Sequence, residues 1–425
     1  SGNGGNDVIQ IEQGINTVVA GAADDQVTVG AGDNTILGDE GQADFDDQGQ
    51  LTEITTLNSG IGGVDTIQVG SGQNSVIGGA KGDSIEVGAG TNTVLADEGR
   101  VTFQDGKVTN IQSLYPAIGG DDTVRLLGGT NTVIGGADDD DIRVMQSLSD
   151  DDSATILGDN GEATFQDGEL VLITTTASGI GGRDTIRVET GNNTVIAGAD
   201  DDQVELGSGP NIVLGDEGRM KIFSNDVRVV ESLNPSIGGE DTIVTGSGVN
   251  ILIGGAYNDL LKSNLEVGKP IPEVIALGDS GKVTFVSRNL LSRIETIAPS
   301  IGGDDDIITT NGNDVILGGI GGDYINVDRE SGLPVGTDTG EDVILGDNGF
   351  ALFDPVAGRS LLREIRTSDA EHGGDDWIFA ANGSDVVLGG SGDDNIDTGS
   401  DESRDVVLGD NGYALFDENE VLVEI

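Results

Sequence analysis

Residues 62–99 read GGVDTIQVGSGQNSVIGGAKGDSIEVGAGTNTVLADEG, and their spacing decides the fold. Asp65, Asn74, Asp83 and Asn92 recur at intervals of nine, as do Ile67, Val76, Ile85 and Val94, each two residues behind its polar partner. A helix cannot hold a nine-residue register on one face. A coil of two short strands and two tight turns, eighteen residues around in this register, can stack copy upon copy. Glycines mark the turns, at Gly62, Gly63, Gly70, Gly72, Gly78, Gly79, Gly82, Gly88 and Gly90. There the chain must reverse, and positive φ is cheap only for glycine. The four aliphatic residues are therefore expected to point inward in rows, in an elongated solenoid.

The best-formed copies are GGAKGDSIE (78–86), GGIGGDYIN (318–326) and GGSGDDNID (389–397). They resemble the nonapeptide GGxGxDxUx of hemolysin-type (RTX) calcium-binding repeats. That resemblance implies an all-β, right-handed parallel β-roll with Ca²⁺ between stacked turns. It covers the nonapeptide part of every repeat and departs from the family in three ways. Alternate half-turns often carry Asn for Asp, the opening glycine pair is often shortened (GGVD, GGED), and each block of four half-turns is followed by a segment foreign to the motif.

A longer period of about sixty residues begins at the glycine pairs 4–5, 62–63, 119–120, 181–182, 238–239, 302–303 and 373–374. It divides one continuous solenoid into seven repeats, 1–61, 62–118, 119–180, 181–237, 238–301, 302–372 and 373–425. Polar or Gly/Pro-containing insertions around 145–153, 262–273, 327–340 and 399–403 precede the fourth strand of four repeats. A solenoid tolerates such bulges at one corner. After the fourth strand comes GDEG, ADEG, GDNG or GDSG. Seven residues on stands Phe45, Phe103, Phe165, Ile222, Phe285, Phe353 or Phe416, which is expected to be a buried plug. FQDGK and FQDGE then signal hairpins. The following stretch, with apolar residues three apart (Leu51, Ile54, Leu57; Val108, Ile111, Leu114), is expected to be a bent strand returning to the roll. Both chain ends fall inside the period without visible caps, which predicts a piece of a longer array.

With 20 basic against 76 acidic residues, the formal charge is −56. A chain of this kind becomes compact only if something neutralises its carboxylates, so charge itself predicts a cation-dependent fold. Nucleic acid and anionic membrane surfaces are excluded as partners. Cys is absent and His372 stands alone, which leaves oxygen ligands, and those suit Ca²⁺. No run approaches eighteen apolar residues, so no membrane insertion is expected. The N-terminal SGNGGND lacks the regions of a signal peptide, and export information is expected to lie elsewhere.

Residues eighteen apart lie above one another, so Asp7 with Asp25 and Asp65 with Asp83 would bracket one ion, as the resemblance also implies. The candidate ligands on this edge are Asp7, Asp25, Asp65, Asp83, Asp122, Asp140, Asp184, Asp202, Asp241, Asp259, Asp305, Asp323, Asp376 and Asp394. The GDxG-type turns add Asp39, Asp97, Asp159, Asp216, Asp279, Asp347 and Asp410, in a different frame, as caps to the ladder. The opposite edge carries Asn16, Asn34, Asn74, Asn92, Asn131, Asn193, Asn211 and Asn250, which can form an amide ladder without metal. It turns to Asp314, Asp342, Asp385 and Asp405 in the last two repeats, where metal is expected on both edges. The competing reading of all these aspartates is turn capping through Asx hydrogen bonds.

Catalytic signals dissolve into the repeat. GDSG at 278–281 occupies the GDEG slot, so Ser280 reads as a turn residue, and there is no HExxH, GxSxG or P-loop. Acidic runs such as Asp200, Asp201 and Asp202 recur at turn after turn, which argues for structure. The expectation is a non-enzymatic, extracellular Ca²⁺-binding structural protein: a stalk, surface-layer or fibre segment of an adhesin-type protein. Its partners would be calcium, neighbouring repeats or self-assembly. Two alternatives stand: a Ca²⁺-triggered export and folding module of a secreted enzyme or toxin, and an ice- or glycan-binding face using Thr17, Thr35, Ser75, Thr93, Thr132 and Thr194.

Overall fold

Each sixty-residue repeat lays down two coils and one hairpin, and these build three sheets. A computed structural model describes residues 4–145, 152–224, 226–264, 273–287, 290–336 and 338–425. The insertions read around 145–153 and 262–273 lie largely outside the described residues. Contacts divide the chain into two compact halves, Ser1–Gly207 and Ser208–Ile425. No helix occurs among the described residues.

In the first half, the first strand of each coil pairs in parallel with the next. Ile67 aligns with Ile85 eighteen residues on, and Val27 aligns with Ile67 across the forty residues that contain a hairpin. The second strands stack likewise, with Val76 on Val94 and Val94 on Val133. The second half repeats both patterns, as in Leu261 on Ile307 and Leu317 on Leu345. Ile67, Val76, Ile85 and Val94 are all buried, as the nine-residue register requires.

The two parallel sheets differ in what covers them. First-sheet strands such as Thr66–Val69 and Ser84–Val87 alternate exposed and buried, the pattern of a sheet wet on one face. In the second sheet, Asn74 to Ile77 and Asn92 to Leu95 are buried on both faces. The hairpins account for this. Gly99–Gln104 and Lys107–Ser113 pair antiparallel around Asp105 and Gly106, whose positive φ values (51° and 73°) are those of a type I′ turn. A Cβ on Gly99 would lie 2.1 Å from Cδ2 of Leu95. The hairpin therefore lies directly on the second sheet, and the last glycine of the GDxG-type turn is what admits it.

Hairpins of successive repeats pair with one another, Val101 on Ile54 and Ile111 on Ala163 in the first half, Val230 on Val283 and Ile294 on Ala351 in the second. These residues are fully buried and form the second hydrophobic seam. The aromatic plugs are not its centre. Phe285, Phe353 and Phe416 are buried, Phe103 and Phe165 are half-buried, and Phe45 is 52% exposed. A β-bulge sets this position apart from the seam residues. At every hairpin the register shifts immediately before this aromatic position, so that Thr102 opposes Asn110 while Phe103 opposes Val108. The extra residue re-aims the ring and produces the three-residue apolar spacing. The expected bent strand is thus the second strand of a bulged antiparallel hairpin.

Of the expected open row of hydroxyls, Ser75, Thr93 and Thr132 are buried, Thr35 and Thr194 are half-buried and Thr17 is exposed. Because Ile173 is fully buried in the seam and Phe165 is not, Ile173→Ala should cost about 2–5 kcal/mol and Phe165→Ala less. Chemical denaturation of the two variants checks this; an equal or reversed order would contradict the seam.

Candidate metal centres

Each first-sheet strand is preceded by an aspartate whose backbone lies in the turn and whose side chain is turned inward. In the first half the backbone N–H of each donates to Oδ1 of the next. Asp7 donates to Asp25, Asp25 to Asp65 and Asp65 to Asp83, each at 2.7 Å, followed by Asp83 to Asp122, Asp122 to Asp140, Asp140 to Asp184 and Asp184 to Asp202. The second half contains the same chain through Asp241, Asp259, Asp305, Asp323, Asp376 and Asp394, at 2.7–3.1 Å. The sequence register thus brings these residues together as a ladder.

A ladder of this kind uses one carboxylate oxygen per residue. The other, Oδ2, is buried without a hydrogen-bond partner in Asp25, Asp65, Asp83, Asp122, Asp140 and Asp184, and again in Asp259, Asp305, Asp323, Asp376 and Asp394. These oxygens face glycines at the end of second-sheet strands. A Cβ on Gly78 would sit 2.5 Å from Asp83 Oδ2 and 2.1 Å from the Ala96 carbonyl oxygen. On Gly278 it would sit 2.0 Å from Asp305 Oδ2 and 2.6 Å from the Gly318 carbonyl oxygen. Carboxylate and carbonyl oxygens therefore converge on a space too tight for even a methyl group. An all-oxygen donor set suits Ca²⁺.

Burial, followed by the neighbouring carboxylates, works against ionisation. It lifts the Asp65 carboxyl to about 6 and the Asp83 carboxyl to about 10, and raises Asp140, Asp184, Asp259, Asp305 and Asp323 well above the ordinary range. Two such charges at the strand spacing of about 4.8 Å repel by roughly 3 kcal/mol at an effective dielectric constant of 20. Only a bound cation or a proton removes that term.

The aspartates of the GDxG-type turns are built differently. Oδ1 of Asp97 accepts from Gly120 N–H and Oδ2 from Ala137 N–H, and Asp39 (Gly63, Ala80), Asp159 (Gly182, Ala199), Asp216 (Gly239, Ala256), Asp279 (Gly303, Ile320) and Asp347 (Gly374, Ser391) repeat the pattern. Each staples two later turns together. A Cβ on Gly119 would lie 1.9 Å from Asp97 Oδ2, so this carboxylate dictates the first glycine of the next repeat's pair. The third residue of the turn helps: Asn160 Nδ2 donates to the carbonyls of Pro116, Gly136 and Ile180. Asp410 is exposed and has no staple among the described residues.

On the opposite edge the amide ladder is present. Nδ2 of Asn16, Asn34, Asn74 and Asn92 donates to Oδ1 of Asn34, Asn74, Asn92 and Asn131 at 2.8–3.0 Å. Each amide carries its own donor, so this edge is satisfied without a cation. From Asp314 the edge reverts to the carboxylate pattern, with Asp314 N–H on Asp342, Asp342 on Asp385 and Asp385 on Asp405. Oδ2 of Asp314, Asp342 and Asp385 is buried without a partner. Sequence reasoning missed Asp338, which joins Asp314 and Asp342 from the insertion at 327–340. Its signal, the Asp–Thr–Gly of GTDTGED, lies outside the nonapeptide frame.

The RTX calcium-binding nonapeptide repeat (4 copies) family matches residues 12–42, 59–94, 68–101, 117–144, 178–213, 238–264, 301–331 and 372–404, together more than half of the chain. The chain belongs to this family. No curated protein matches it. The RTX matches span the ladder turns and stop short of most of each hairpin.

A carboxyl whose pKa is higher in the folded chain than its unfolded value of about 4 stabilises the fold while protonated, and that contribution is lost as pH rises through the folded value. The metal-free chain is therefore expected to be ordered near pH 4 and to lose order between about 6 and about 10, the range of Asp65 and Asp83. Circular dichroism in chelator at stepped pH checks this. Order that is independent of pH, or that grows as pH rises, would contradict it.

Proposed function

We propose that this RTX chain is a non-enzymatic structural segment whose ladder aspartates hold Ca²⁺ between successive coils, converting a self-repelling polyanion into a stiff solenoid. The observation that carries this is the row of buried Oδ2 atoms beside carbonyl oxygens, in a chain of net charge −56. The ladder residues Asp65, Asp83, Asp122, Asp140, Asp184, Asp259, Asp305, Asp323 and Asp376, with Asp25 and Asp394, are the proposed ligands, on the order of two ions per repeat. The staple aspartates act beside them by fixing the turns.

A stalk, surface-layer or fibre segment of a secreted or surface-attached protein is the role that suits such a stiffened repeat. RTX repeats are typical of secreted proteins, and extracellular calcium modules fill at roughly 10⁻⁴–10⁻³ M. Ser280, the one residue in a protease-like setting, is fully buried in a staple turn. Among the described residues no helix is long and apolar enough to cross a membrane.

Single-molecule extension of the full chain tests the role. In millimolar Ca²⁺ it is expected to resist stretching and yield in successive steps, and after chelation to extend as a soft coil. Equal resistance in both conditions would reject calcium as the stiffening element.

A further inference from the structure

The insertion at 327–340 departs from the nonapeptide and reads as a dispensable bulge, yet it ends in a buried carboxylate. Val327–Asp328 and Leu333–Pro334 form a small antiparallel ribbon, after which the chain returns to the second edge through Asp338, Thr339 and Gly340. Gly340 is packed so closely that a Cβ there would lie 1.4 Å from the Gly312 carbonyl oxygen. Asp338 Oδ1 accepts from the N–H groups of Thr339 (2.6 Å), Gly340 (2.8 Å) and Gly312 (3.3 Å). This fixes the carboxylate against the turn that carries Asp314.

One carboxylate oxygen from each of Asp314, Asp338 and Asp342 lies within 4.8 Å of those of the other two. All three residues are at most 5% exposed, and Oδ2 of each is buried without a hydrogen-bond partner. Their Oδ1 atoms are already engaged, Asp314 by Val274 N–H and Asp342 by Asp314 N–H. Three anchored carboxylates thus each keep one bare oxygen in the same buried corner. Oxygens bound to one Ca²⁺ at about 2.4 Å lie within about 4.8 Å of each other, a condition these three carboxylates meet. Three buried carboxylates this close are ionised together only with a cation among them.

We propose that Asp314, Asp338 and Asp342 form a divalent-cation site, its all-oxygen donor set of the class that suits Ca²⁺, in which the insertion supplies the third carboxylate. Asp338 and Asp342 lie outside the residues that match the nonapeptide family. The site rests on its own three oxygens and not on the first-edge ladder. Its consequence is local: calcium closes the 327–340 insertion onto the edge where the asparagine ladder has given way to aspartate.

The test uses the full chain. Asp338→Asn keeps an oxygen for the three N–H donors and places an amide NH₂ where the bare oxygen stood. Equilibrium dialysis against Ca²⁺ is expected to show one ion fewer bound than by the unmutated chain. Asp83→Asn serves as a first-edge control and should leave the Asp338 site filled. Should Asp338→Asn fail to fold, carboxyl-selective labelling of the unmutated chain, read by mass spectrometry, decides. Labelling of the peptide carrying Asp338 should fall several-fold on adding Ca²⁺. An unchanged ion count in a folded variant, or unchanged labelling at Asp338, would overturn the site. Protection at Asp338 without ions on the first edge would uphold it while rejecting the ladder as a metal row.

Discussion

Like charges stacked in a dry interior are the constraint on which this structure turns. The coil places an aspartate at the same corner of every turn, and the backbone N–H of each binds only one oxygen of its neighbour. The hydrogen bonds fix the geometry but leave the charge uncancelled, because a peptide N–H brings a dipole and no net positive charge. Arg143, Arg183 and Arg219 pair with Asp141, Asp201 and Glu231 at the surface or on the hairpins, away from the ladder. Protons or an external cation are the remaining means of neutralising the ladder, and protons serve less and less as pH rises through about 6 and then about 10. The opposite edge is the internal control, since Asn16 to Asn131 build the same stack from groups that donate as well as accept.

The sixty-residue period follows from a second constraint. A two-stranded coil has two faces, and apolar residues at both Val94 and Leu95 would leave one of them wet. The hairpin covers that face, which is why the second sheet is buried throughout while the first alternates. The staple aspartate then returns the chain to register. By binding Gly120 and Ala137 at once, Asp97 ties the next repeat's first two turns to the hairpin's root. Glycine is demanded at Gly119 and Gly136 because the carboxylate occupies the space of a side chain.

Much of this was legible in the residues. Strict spacing exposed the coils, their inward rows and both polar ladders, because a periodic backbone repeats its contacts at fixed intervals. Two kinds of feature were hidden. The bulge before Phe103 changes the phase of the hairpin by one residue, so Val108 and Ile111 look unlike a strand and the ring looks like a core residue, when Val101 and Ile111 hold that place. The partition of aspartates into bare and stapled was hidden as well. Asp83 and Asp97 are the same side chain on the same edge, and only the position of later peptide N–H groups separates them. Asp338 could not be reached by counting, because an insertion breaks the count that reveals its partners.

The measurement that bears most directly on the cation's place is an anomalous difference map from the chain crystallised with Ca²⁺. A row of ions should lie between successive aspartates of the first edge, from Asp25 through Asp184 and from Asp259 through Asp394, with none along Asn16 to Asn131. An ordered ladder with no ions beside its Oδ2 atoms, or ions ranged equally along the asparagine edge, would contradict the account.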